Sequence, residues 1–96
     1  MPFTHIVTFK WSNEAFDAVP VAEALRAVIA TVDGVHSYTC GSDVNLSPGS
    51  YDFAVVGVFD DRDTFVAYRD NPEHQRIIKE MINPQLDART VVQLED

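Results

Sequence analysis

Two histidines and one tyrosine occupy positions from which their side chains are predicted to point into one apolar interior: His5, His74 and Tyr68. An imidazole titrates near neutrality and can accept or donate a proton, and a phenol can donate a hydrogen bond. Removing a proton next to a carbonyl group needs such a base together with a donor for the developing enolate. The pattern therefore predicts proton transfer on a carbonyl compound, with His74 as the base and His5 or Tyr68 orienting the carbonyl.

The residues around His74 favour a neutral imidazole. Pro72 is suited to the first turn of a helix. Helical spacing then predicts one buried stripe that carries His74, Ile77, Ile78 and Met81. The positive end of the helix dipole disfavours an imidazolium, so His74 is expected to be ready to accept a proton. The alternative is that the two histidines and the tyrosine are hydrogen-bonded core side chains without a chemical role.

The elements that carry these side chains also supply an apolar lining. Alternation over residues 3–11 predicts a strand with one face formed by Phe3, His5, Val7, Phe9 and Trp11. Helical periodicity predicts a helix over 18–32 with a buried stripe of Ala22, Leu25, Ile29 and Val32, closed by a left-handed Gly34. A second helix over 61–70 carries Phe65 and Tyr68, and a third helical segment over 72–82 carries His74. The residues expected to contact a substrate are Val7, Phe9, Leu25, Phe65 and Ile78.

Three more strands complete the predicted fold. They cover residues 35–41, 51–59 and 90–95, with a Pro-Gly turn in the loop before the second of them. The order strand, helix, strand, strand, helix, helix, strand indicates an α+β fold of the ferredoxin-like type. It predicts a four-stranded antiparallel sheet with the helices on one face, in a single domain over residues 1–96.

The strand at 51–59 is apolar on both faces. Phe53, Val55 and Phe59 lie on one face, and Ala54, Val56 and Val58 lie on the other. Helices can cover only one face, so the second face, to which Ile6 contributes, would be a large exposed apolar patch. The simplest cover is the same surface of a second copy, which predicts a homodimer. The alternative is a monomer that tolerates the patch.

Composition and charge restrict the partners. The chain has 15 acidic and 7 basic residues and a formal charge of −8, which disfavours nucleic acids and anionic membranes as partners. The one cysteine, Cys40, excludes an internal disulfide, and no secretory signal precedes the first strand, so a cytoplasmic protein is expected. Zinc-ligand spacing and a glycine-rich phosphate loop are both missing, so neither a metal nor a cofactor is expected.

Several segments resemble the stress-responsive dimeric α/β-barrel (Dabb) family. They are residues 5–10, 51–56, 59–61, Tyr68 and 71–75, of which the Pro-x-His step at His74 is the most specific. The resemblance implies a homodimer whose two sheets close into a barrel with the helices outside. It extends to olivetolic acid cyclase-like members, which close a poly-β-keto chain by aldol condensation without a metal or cofactor. His5 and His74 match the histidines on which that cyclase relies, and Tyr68 matches a cavity tyrosine.

Three functions follow from these observations. The leading hypothesis is a cofactor-free lyase or cyclase that acts on a carbonyl-rich, mostly apolar small molecule by histidine-mediated proton transfer. The second is a non-catalytic, stress-linked or ligand-binding protein with an apolar small-molecule ligand in the same pocket. The third is a cofactor-independent monooxygenase, which rests on analogy between folds.

Overall fold

The computed structural model describes residues 1–96, and its four strands form one antiparallel sheet in the order β2-β3-β1-β4. The strands are β1 (Phe3–Trp11), β2 (Val35–Ser42), β3 (Phe53–Phe59) and β4 (Leu86–Glu95). The helices are α1 (Val19–Ile29), α2 (Arg62–Arg69) and α3 (Pro72–Ile77), and a π-helical turn (Ile78–Ile82) and a 3₁₀ turn (Asn83–Gln85) lead from α3 to β4. All the helices pack on one face of the sheet, so the predicted ferredoxin-like arrangement is confirmed.

Alternation along β1 creates the buried side of the sheet. Phe3, Val7, Phe9 and Trp11 are buried, whereas the intervening Lys10 is exposed. The same side of β3 presents buried aromatic and branched residues, and the inner faces of the helices complete one core. Its largest fully buried side chains are Val21, Leu25, Phe53, Phe59, Tyr68 and Ile77. The sheet and helices therefore enclose a single apolar layer.

Side-chain caps set the starts of the two short helices. The Asp61 carboxylate accepts a hydrogen bond of 2.8 Å from the backbone N–H of Thr64 at the start of α2. The Asn71 side chain accepts from the backbone N–H groups of Glu73 and His74 at the start of α3. These bonds satisfy donors that have no partner within the helix. The Asn71 cap consequently fixes the helical turn that carries His74.

The first helix is shorter than predicted, since α1 ends at Ile29 and not at Val32. The Thr31 hydroxyl donates to the Val28 carbonyl at 2.7 Å, and such local bonds compete with helical ones. The buried stripe is Val21, Ala22, Leu25 and Val28, while Ile29 and Val32 are only half-buried. Gly34 adopts the predicted left-handed conformation, with φ of 82°, but it lies in the turn before β2 and not at the helix end.

Two strand boundaries also differ from the prediction. β3 begins at Phe53, two residues after Tyr51, and β4 begins at Leu86, four residues before Thr90. Residues 86–89 lack the β-branched pattern of a strand, but pairing with β1 extends the ladder through them. A bulge opposite the end of β1 leaves Asp87 as the additional residue. Tertiary pairing thus determines where β4 begins.

The face of the sheet opposite the helices is open and apolar at its centre. Ile6 pairs with Val56 on one side and with Val92 on the other, and Thr4 lies between Val58 and Leu94. The exposed fractions are 37% for Val56, 53% for Val92 and 47% for Leu94. This set of five apolar side chains around Thr4 is called the open-face patch below: Ile6, Val56, Val58, Val92 and Leu94. No helix of the protein has the length and apolar character needed to cross a membrane.

Candidate active site

A cavity of about 220 Å³ lies between the sheet and the helices, on the side of β4. Ten of its 15 lining residues are hydrophobic, so the interior favours an apolar ligand. The lining residues are His5, Val7, Phe9, Leu25, Tyr38, Val55, Phe65, Tyr68, Arg69, His74, Ile78, Ile82, Arg89, Val91 and Gln93. The three residues proposed from the sequence for proton transfer, and all five proposed for substrate contact, therefore line this one cavity.

One cross-strand row forms the floor of the cavity. Tyr38, Gly57, His5 and Gln93 pair in succession across all four strands. A Cβ atom at Gly57 would lie 2.8 Å from the Phe59 ring and 3.2 Å from the Tyr38 ring, closer than such atoms normally approach. The missing side chain of Gly57 therefore leaves room for the Phe59 and Tyr38 rings, which occupy the space beside it.

His74 lies on α3 and is almost fully buried, with 8% of its surface exposed. Its Nδ1 atom is 3.0 Å from the Arg69 carbonyl oxygen, and a carbonyl can only accept, so Nδ1 donates. The neutral ring then carries its lone pair on Nε2. Its ring packs against that of Tyr68, with centroids 4.2 Å apart and the ring planes tilted by 38°. His74 therefore has a fixed tautomer with a proton-accepting nitrogen that makes no hydrogen bond within the chain.

His5 has the opposite tautomer. The Gln93 side-chain amide donates to His5 Nδ1 at 3.2 Å, so the proton of the neutral ring resides on Nε2. The imidazole also packs on the Phe65 ring, with centroids 4.7 Å apart. The site thus pairs a histidine that can accept a proton with one that can donate a hydrogen bond.

Two tyrosines add a second donor to the cavity. The hydroxyls of Tyr38 and Tyr68 are 2.7 Å apart and hydrogen-bonded. One hydroxyl donates to the other, which leaves one hydroxyl hydrogen for a ligand. Burial raises the pKa of Tyr68 to about 12, and burial together with Tyr68 raises the pKa of Tyr38 still further. Both phenols are therefore protonated at neutral pH.

Burial keeps the imidazoles neutral as well. It is the main reason that the pKa of His5 falls from its ordinary value of 6.5 to about 4, and the nearby His74 and Arg89 contribute to the decrease. Burial also lowers the pKa of His74, although the hydrogen bond to the Arg69 carbonyl opposes that shift. The direction expected from the helix dipole is observed for His74, but desolvation is its main cause.

Several cavity residues were not assigned to the site from the sequence. Tyr38 lies two residues from Cys40 on β2, and its place on the buried face is the signal that could have identified it. Arg89 lies outside the strand predicted for residues 90–95, so its face could not be assigned. Gln93 lay within that strand, but its contact with His5 depends on pairing between the two ends of the chain.

The other candidate polar residues lie elsewhere. The His36 imidazole pairs with the Asp60 carboxylate at the protein surface, and Cys40 is buried against α1. No three His, Cys, Asp or Glu side chains form a group that could hold a metal ion. The polar groups of the cavity itself are imidazoles, phenols, one amide and two guanidinium groups.

Comparison with solved structures agrees with the fold. A dimeric ferredoxin-like protein of unknown function from Thermobifida fusca is 35% identical, with a TM-score of 0.88 over 100% of this chain and 92% of that chain. A hydroxynitrile lyase from Passiflora edulis is 14% identical, with a TM-score of 0.68 over 97% of this chain and 91% of its own. A cofactor-independent oxygenase from Streptomyces nogalater is 13% identical, with a TM-score of 0.79 over 99% and 92%.

The two enzymes are similar to this chain in fold alone, because their sequence identities are low. None of the curated proteins is significantly similar to it in sequence. The model of the stress responsive A/B barrel domain matches residues 3–96, almost the whole chain. With 35% identity to the Thermobifida protein and a shared sheet topology, this match settles the family. The chain belongs to the stress-responsive A/B barrel (Dabb) domain family.

Proposed function

We propose that this protein is a cofactor-free lyase or cyclase that acts on a carbonyl-rich, largely apolar small molecule by histidine-mediated proton transfer. The observation that carries the proposal is the tautomer of His74. Its Nδ1–H is engaged by the Arg69 carbonyl, so Nε2 is the accepting atom of a neutral base in an apolar cavity.

Hydrogen-bond donors near His74 could stabilise the enolate that forms when the base removes a proton. Loss of a proton next to a carbonyl places negative charge on the carbonyl oxygen, which needs a hydrogen-bond donor. His5 Nε2–H and one hydroxyl of the Tyr38–Tyr68 pair are such donors. An aldol ring closure of the olivetolic acid cyclase type would use the same base and donors. A hydroxynitrile lyase of similar fold supports the idea that this architecture can host lyase chemistry.

Proton transfer can be measured before the natural substrate is known. In D₂O, a panel of aryl β-diketones would be followed by NMR for exchange of the proton between the two carbonyls. We expect the protein to accelerate exchange for at least one member, and His74→Gln to reduce that rate about a hundredfold or more. His5→Gln should reduce it less, since it removes a donor. His36→Gln is the matched control, because its imidazole lies outside the cavity.

Exchange no faster than in buffer across the panel would contradict the enzyme proposal, as would full activity in His74→Gln. The non-catalytic alternative has its own support, because every fully buried polar side-chain atom has a hydrogen-bond partner and both cavity histidines are hydrogen-bonded through Nδ1. A core histidine without a chemical role would show hydrogen bonding of the same kind. That alternative predicts saturable binding of the diketones with no exchange. The monooxygenase alternative predicts oxygen consumption with an anthrone. The Streptomyces oxygenase of similar fold is the reason to include this test.

We further propose that residues 1–96 act as one domain and pair through the open-face patch into a homodimer whose two sheets form a barrel. The patch is an exposed apolar surface that the helices do not cover, and the Thermobifida relative is a dimeric protein. A stable interface buries about 1,200–2,000 Å² in total, an area that two facing four-stranded sheets can supply.

The dimer is tested by native mass spectrometry and light scattering. Val56→Glu places a charge at the centre of the patch and should yield monomers at micromolar concentration. Val44→Glu is the control, since Val44 is 82% exposed in the loop between β2 and β3 and lies outside the patch. A monomeric wild-type protein, or a Val56→Glu variant that remains dimeric, would contradict the proposed interface.

A further inference from the structure

Arg89 is the one arginine of this chain whose side chain makes no hydrogen bond to the protein. Arg26 donates to the Cys40 carbonyl. The remaining arginines pair with carboxylates: Arg62 with Glu95, Arg69 with Asp70, and Arg76 with Glu73 and Glu80. The chain has 15 acidic residues and only 7 basic ones, yet the Arg89 guanidinium has neither a carboxylate nor a carbonyl partner.

Arg89 lies at the cavity, where its unpartnered guanidinium can contact a ligand. It pairs with Phe9 across β1 and β4, so its side chain belongs to the helix side of the sheet and lines the cavity. β4 is the edge strand there, and Arg89, Val91 and Gln93 are all exposed. The guanidinium therefore stands where the cavity opens, while the rest of the lining is apolar or neutral apart from Arg69.

A guanidinium in this setting recognises a planar anion. Its donors form a rigid fork that matches the two oxygens of a carboxylate, and the interaction is strongest where water is partly excluded. The second arginine of the lining, Arg69, is already engaged by Asp70. We propose that Arg89 binds the carboxylate of the cavity ligand, so that the substrate is an acid with an apolar body. This inference deepens the proposed function and rests on it for the identity of the site.

The arrangement divides a bound ligand into two parts. The carboxylate is held by Arg89 at the mouth, and the apolar, carbonyl-bearing body extends past His5 towards His74 and the tyrosine pair. Arg89 lies four residues from Gln93 on β4, which corresponds to about 13 Å at 3.3 Å per residue. Gln93 contacts His5, so the separation of carboxylate and reacting carbonyl in a substrate is of that order or shorter.

The charge preference is tested by binding, independently of turnover. Calorimetry would compare naphthalene-2-carboxylate with naphthalene-2-carboxamide, two ligands of the same shape that differ in charge. We expect wild-type protein to bind the carboxylate about tenfold more tightly or better, the discrimination of one charge-assisted hydrogen-bonded pair. Arg89→Gln should abolish that preference, because the carboxylate loses much more affinity than the amide. Lys79→Gln is the control, because it removes one exposed positive charge outside the cavity lining.

Equal binding of the two ligands by wild type would overturn the inference, as would a preference that survives in Arg89→Gln. Failure of both ligands to bind would also overturn it. Arg89→Lys keeps the charge without the fork, and we expect it to retain part of the preference. An Arg89-dependent preference without proton exchange on any diketone would support the carboxylate site and count against the proposed enzyme. Proton exchange without a preference for the carboxylate would support the proposed enzyme and count against the carboxylate site.

Discussion

The depressed pKa of His5 predicts that the protein loses stability as the pH falls below neutrality. The folded pKa is about 4 and the ordinary value is 6.5, so between these values the unfolded chain binds more protons than the folded one. The stabilisation by neutral His5 is complete above pH 6.5 and is lost as the pH falls towards 4. Between pH 8 and pH 5 this linkage amounts to about 2 kcal/mol for a fully shielded group. His5 is only half-buried, so solvent screening reduces the expected loss to about 1 kcal/mol.

The assay is urea unfolding at pH 8 and pH 5 at one protein concentration, because a dimer makes stability concentration-dependent. We expect the loss of unfolding free energy between the two pH values to be about 1 kcal/mol smaller in His5→Gln than in wild type. His74→Gln should change it in the same direction, since burial lowers its pKa too. His36→Gln is the control and should not reduce the loss. Equal losses in wild type and His5→Gln would refute the reasoning.

Three substitutions test the packing around the cavity by urea unfolding. Gly57→Ala should cost about 1–3 kcal/mol, because the new Cβ would lie 2.8 Å from the buried Phe59 ring; no loss would show that the floor is not tightly packed. Leu25→Ala should cost about 2–5 kcal/mol, since Leu25 is 2% exposed. Its control, Leu46→Ala, lies at a residue that is 85% exposed and should change stability by less than about 0.5 kcal/mol. Asn71→Ala removes the cap of α3 and should lower the free energy of unfolding by about 1 kcal/mol. It should also slow diketone exchange, because the cap positions His74. If stability and exchange rate were both unchanged, the cap would not position α3.

The periodic spacing of apolar residues predicted much of the fold, because it indicates which side chains are buried. Alternation along β1 predicted the face on which His5 lies, and helical spacing predicted the inward side of Tyr68 and His74. Both periods arise from backbone geometry and need no knowledge of distant partners. The catalytic roles of these residues remain predictions, since geometry shows where a side chain lies and not what it does.

The sequence predictions of element boundaries and site residues were wrong or incomplete where contacts between distant residues outweighed local conformational preference. Residues 86–89 join β4 only because β1 offers hydrogen bonds at the opposite end of the chain, and Arg89 was missed for this reason. α1 ends early because the Thr31 hydroxyl competes for a helix carbonyl. The Tyr38–Tyr68 bond joins a strand to a helix 30 residues away, and no local pattern encodes such a contact.

The alternation of β4 has a consequence for how this protein tolerates insertions and deletions. Arg89, Val91 and Gln93 face the cavity, whereas Val92 and Leu94 face the open-face patch. A one-residue insertion between the bulge and Arg89 would exchange the two sets, so that valine and leucine would enter the cavity mouth while arginine and glutamine would emerge on the opposite surface. A two-residue insertion would keep the parity. Length variation in this strand is therefore expected in steps of two, and engineering of either surface is confined to alternate positions.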